Sequence, residues 1–104
     1  MKSLHTLLKV AQRKLDELGV EAARIGQEVS ELEAREAAVR AREAAELASA
    51  AGNPMFASIL PAYRIRVKGQ IAEIRSQASA KEKALAEVRE RLSAAYVEKS
   101  KFEQ

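Results

Sequence analysis

Cysteine is absent from the 104 residues, so no disulfide can staple the fold and no thiolate can hold a metal. The same absence fits a reducing compartment. Tryptophan is missing as well, and the aromatic residues are only Phe56, Tyr63, Tyr96 and Phe102. A compact globular core usually needs more large side chains, which points to a thin, elongated one. His5 is the single histidine, so no second imidazole exists to complete a metal site with it, and it reads as a solvated helix residue. No apolar run approaches the ~20 residues that cross a bilayer. The opening Met1 to Val10 carries Lys2, His5 and Lys9 and lacks a small-residue cleavage pattern, which argues against a signal peptide. A net charge of +3, spread along the chain, is too weak to predict nucleic-acid binding. No glycine-rich phosphate loop, nucleophile elbow or metal-ligand spacing occurs. The chain reads as no enzyme, with no cofactor.

What is abundant is alanine, glutamate, lysine, leucine and arginine, the composition of long helices. From Leu4 to Val39 apolar residues recur at alternating steps of four and three, with Glu36 the one break. That spacing keeps one stripe of an α-helix facing a partner helix, as in a coiled coil. Ser3 is placed to cap the helix start. After Val39 the stripe degrades: Glu43 takes the next position and Leu47 sits one residue late. Gly52-Asn53-Pro54 is the strongest break in the chain, with glycine suited to end a helix, Asn53 to cap the next and Pro54 to open it. From Ile71 to Phe102 the stripe returns, interrupted by Lys81 and Lys99. Leu60, Tyr63 and Val67 extend it upstream through an extra step of four, a local stutter. The expected fold is all-α: two long helices forming an antiparallel coiled-coil hairpin. The first is expected over about 3–51, the turn over about 52–54, and the second over about 55–103 with a kink or ragged start near Pro61. Each would be about 70 Å long.

In such a hairpin, facing residue numbers add to a constant. A constant of 103 sets Met1 by Phe102, Leu15 by Val88, Leu18 by Leu85 and Leu32 by Ile71, and is the preferred register because large side chains meet small ones. A constant of 110 sets Ile25 by Leu85 and Val39 by Ile71 but calls for a longer loop, as would follow if the second helix began at Pro61. Gly19 and Gly26 read either as tolerated surface glycines or as a place where another helix comes close. Arg64, Arg66 and Lys68 beside Tyr63 read as a solvated basic turn, since alternate residues do not share a helix face. Apolar residues beyond the stripe cluster near the turn (Met55, Phe56, Ile59, Leu60, Tyr63, Ile65) and near the termini (Leu7, Val10, Tyr96, Val97). Such clusters mark partner surfaces. The alternatives are a cap folded over the turn, and fraying or self-association at the termini.

The opening Met1-Lys2-Ser3-Leu4-His5-Thr6-Leu7-Leu8-Lys9-Val10, followed by Leu15-Asp16-Glu17, is similar to the start of FliJ-family proteins. So is the stretch from Phe56-Ala57-Ser58-Ile59-Leu60-Pro61 to Ala62-Tyr63-Arg64-Ile65-Arg66. The resemblance implies a cytoplasmic component of the flagellar type III export apparatus, held at the inner face of the membrane only through its partners. Injectisome proteins of the YscO type would look much the same. The implied partners are a hexameric export ATPase of the FliI type, an export gate protein of the FlhA type, and export chaperones. Leu4, Leu7, Leu8, Tyr96 and Val97 are the implied ATPase-side residues. Phe56, Ile59, Leu60 and Tyr63 are the implied gate-side residues. A scaffold that homodimerises through the same stripes is the alternative.

Overall fold

Ser3 opens the fold as a helix cap: its hydroxyl oxygen accepts the Thr6 N–H at 3.2 Å, and its carbonyl accepts the Leu7 N–H at 3.1 Å. The computed structural model describes residues 3–104. α1 spans Leu4–Ala50 and α2 spans Pro54–Glu103, and no strand occurs among the described residues. Between them the chain turns on Gly52, whose φ of +84° lies in the left-handed region that costs a side-chain-bearing residue most. The Asn53 N–H donates to the Ala50 carbonyl at 3.0 Å, and the Asn53 side-chain oxygen accepts the Met55 N–H at 3.0 Å. Asn53 thus caps α2 and Pro54 occupies its first position, where the missing N–H costs nothing. The helix is not ragged at Pro61. It starts at Pro54 and runs through Pro61, which leaves the Ala57 carbonyl without its usual i+4 donor.

Two units make up the hairpin, and each pairs α1 against α2. The first joins α1 up to Glu28 with α2 from Lys81 onward. Its core is Leu15, Leu18, Ile25, Leu85, Val88 and Ala95, with Ala22, Ala84 and Leu92 packed against them. The second unit runs from Val29 to Ala80 and buries Leu32, Val67 and Ile74. No described side chain is completely buried, because each seam residue has one helix opposite and solvent on both flanks.

The register corrects the preferred sequence reading: facing residue numbers add to 110, not 103. In the second unit the Arg75 guanidinium reaches Glu36 across the seam, with Nε 3.1 Å from Oε1. In the first, the Lys81 ammonium pairs with Glu28. Ile25 with Leu85 and Leu18 with Leu92 share the first unit's core. The reason lies in the steps. Counting back along α1 from Ala50, seam residues fall at Leu47, Glu43, Val39 and Glu36. Counting forward along α2 from Leu60, they fall at Tyr63, Val67, Ile71 and Ile74. The order of threes and fours is the same, so the two stutters face each other. A shift of one heptad would set Tyr63 opposite Arg40, one residue off the seam. Every residue on the shared path, from Leu8 to Ala50 and from Leu60 to Phe102, is buried or half-buried. Leu8, opposite Phe102, takes the place expected for Met1, which lies outside the described residues. No longer loop is needed, because α2 starts at Pro54, six residues before Leu60, which stands opposite Ala50.

Candidate partner-binding surfaces

Because the seam is satisfied within the chain, partner surfaces must come from side chains off it. Of the residues expected near the turn, Ile59 is 58% exposed and Met55 80% exposed, in the first turns of α2. They do not fold over the turn as a cap. Phe56 is half-buried against Tyr63, with ring centroids 6.2 Å apart and planes tilted by 59°. Tyr63 and Leu60 are themselves seam residues, opposite Leu47 and Ala50, and are half-buried there. The Arg66 guanidinium lies 5.7 Å from the centre of the Tyr63 ring, a cation–π contact. A hydrogen bond to Glu46, which only the protonated phenol can donate, pushes the Tyr63 hydroxyl above its ordinary value. Phe56, Ile59, Leu60 and Tyr63 are therefore neighbours, but only Ile59 is free of the seam and of ring stacking.

Near the termini Leu4 is 54% exposed, Tyr96 65% and Val97 55%, while Leu7 and Leu8 are half-buried. These residues do not form one patch. Tyr96 stands opposite Lys14 in this register, ten residues from Leu4, or about 15 Å along the helix. Leu7 and Tyr96 also flank the seam on opposite sides, since they follow it in α1 and α2 at the heptad positions g and e. Val10, 53% exposed, falls on the Leu7 side. Val20, 71% exposed, faces away from the seam; nothing in its spacing sets it apart from an ordinary surface valine, and sequence reasoning passed over it.

Two of the charges in the seam, Glu36 and Lys81, are met by opposite charges. Glu36 accepts from Arg40 at 3.0 Å and from Arg75, and the guanidinium of Arg75 first, then that of Arg40, holds its carboxyl below the usual range. Glu28 is lowered in the same way, chiefly by its bond to Lys81, with Arg24 4 residues back adding at 2.6 Å. One Glu28 oxygen is shut off from water, and the Lys81 ammonium is the group that meets it. Lys81 at a seam position is thus anchored rather than merely tolerated. Gly19 and Gly26 have open space where a side chain would begin, so within the chain no helix approaches them closely. No group of three or more His, Asp or Glu side chains among the described residues could hold a metal ion. No helix among them is long and apolar enough to cross a membrane. The chain matches no family model, no curated protein and no solved structure.

Proposed function

We propose that the chain is a non-enzymatic, stalk-like component of a type III protein export apparatus, of the FliJ kind that its opening residues resemble. In this role it binds a hexameric export ATPase through the unit that holds the termini and an export gate protein through the unit that holds the turn. The observation that supports this reading most is the closure of the seam within one chain. A stripe already paired with its own second arm is not offered to another coiled coil, so exposed Leu4, Tyr96 and Val97 in one unit and Met55 and Ile59 in the other are left for unlike partners. With no convergent acid, base or nucleophile set among its candidate residues, the role is binding, not chemistry.

The test is co-sedimentation with a purified hexameric export ATPase and a pull-down with the cytoplasmic part of an export gate protein. Leu4→Ala with Tyr96→Ala is expected to lose the ATPase and keep the gate. Ile59→Ala is expected to do the reverse, with the circular dichroism of both unchanged. Ile59 is a cleaner probe than Tyr63, whose truncation also loosens the seam at Leu47. A chain that binds neither protein and sediments as a dimer at micromolar concentration would replace this reading with the homodimeric scaffold.

A further inference from the structure

Beside the stutter in the second unit, a groove of about 550 Å³ opens on one flank of the seam. Its floor is apolar: Val67 is buried, and Leu47 and Ile71 are half-buried. Ala72 at its margin is too short to cover them. Four cations line it, Arg40 and Arg75 from facing helices and Arg64 and Lys68 one helical turn apart on α2. Arg40 and Arg75 share the single carboxylate of Glu36, which leaves one of their two charges unbalanced. Arg64 and Lys68 form no ion pair among the described residues, and Glu43, a half-buried seam residue opposite Val67, is the one acid in the groove. Arg66, between them in sequence, is turned away onto Tyr63. The basic run thus divides, and two of its three members join α1's Arg40 on one face.

We propose that this groove is the docking site for an acidic amphipathic helix of a partner protein. The charge of the rim selects the occupant. An apolar floor between cations fits a helix whose Leu-like residues at i, i+4 and i+7 enter the groove while Asp or Glu on either side meets Arg64, Lys68 and the shared arginine charge. The lining runs from Arg64 to Arg75 on α2, about 16 Å, which matches about three turns of a docked helix. Nucleic acid fits less well, because the apolar floor offers nothing to a phosphate backbone. The groove on the other flank, lined by Arg35, Arg42 and Glu73, has fewer cations and serves as the internal control. The site belongs to the folded chain alone and stands whether or not the export reading does.

The probe is a fluorescent 18-residue helical peptide with leucines at that spacing flanked by glutamates, titrated with the full chain and followed by anisotropy. A twin peptide with lysines for the glutamates and a short DNA duplex are run beside it. The acidic peptide is expected to bind at least about tenfold more tightly than the basic twin, and to weaken as salt rises. Arg64→Glu with Lys68→Glu is expected to weaken it about tenfold or more, while Arg64→Lys with Lys68→Arg and, separately, Arg35→Glu retain it. All these positions are exposed and off the seam, so circular dichroism is expected to stay unchanged. No binding of the acidic peptide, equal binding of the two peptides, or binding that survives the double reversal overturns the site. A duplex bound in preference to the acidic peptide overturns it in favour of nucleic acid.

Discussion

Arg75 and Glu36 sit on different helices, 39 residues apart in the chain, and meet at 3.1 Å. The carboxylate occupies a seam position that the hydrophobic pattern alone would mark as a weak point. Its guanidinium partner, one turn along from the facing Val67–Ile71 step, makes it a marker of register instead. The register gives the first prediction. The chain has no cysteine, so engineered pairs report without background. Ile25→Cys with Leu85→Cys is expected to close an intramolecular disulfide on mild oxidation. Leu18→Cys with Leu85→Cys, one heptad out, is expected to stay reduced or to cross-link between molecules. Non-reducing gels and intact mass distinguish these outcomes, and efficient closure of the second pair would restore the constant of 103.

The depth of the seam gives the second. Ile25 is 4% exposed and packs in the first unit's core, whereas Val20, in the same unit, is 71% exposed. Ile25→Ala is expected to lower unfolding free energy by about 2 kcal/mol or more. Val20→Ala is expected to change it by no more than about 0.5 kcal/mol. Urea unfolding followed at 222 nm reads both, and equal effects would mean that Val20 is covered in solution.

Glycine positions give the third. At Gly19 and Gly26 an added methyl meets nothing, so each alanine substitution removes unfolded-state freedom at no steric cost. Each is expected to raise stability by about 1 kcal/mol, seen as a higher thermal midpoint. A stabilised double variant that no longer binds a partner would show that a partner helix uses the space.

Acid gives the fourth. Glu28 and Glu36 are held below the ordinary carboxylate value of 4.5, chiefly by Lys81 and Arg75. A carboxylate lowered by folding contributes stability that is complete above its unfolded value and is lost as pH falls through its folded value. The thermal midpoint is therefore expected to hold between pH 7 and about 5.5 and to fall below 4.5. Glu36→Gln is expected to start lower at pH 7 and to fall less steeply in acid. Parallel curves for the two proteins would remove Glu36 from the acid limb.

Much of this was legible in the residues. Ser3, Gly52, Asn53 and Pro54 each do locally what their side chains allow, and the helices run Leu4–Ala50 and Pro54–Glu103. The register was only hinted at: Leu47 is a stutter that mirrors the one at Val67, but the match counts only once the two arms lie together. Reading Leu47 as a late member of a fading stripe hides the match and leaves 103 the more attractive choice. Lys81 and Glu36 looked like tolerated defects, because their partners are drawn from the opposite helix. The basic groove could not be read at all. Arg40 and Arg75 look like members of alternating charged faces, and only the folding back of α2 brings them to the flank that Arg64 and Lys68 share.

By itself the sequence determined two helices, their ends and the stripe each would bury, since capping, helix propensity and a 3.5-residue period act over a few neighbours. Only the tertiary structure decided which residue faces which. Sliding one arm by a heptad leaves most of the stripe apolar, and the choice is made by contacts between residues far apart in the chain: the matched stutters, Glu36 with Arg75, and Lys81 with Glu28.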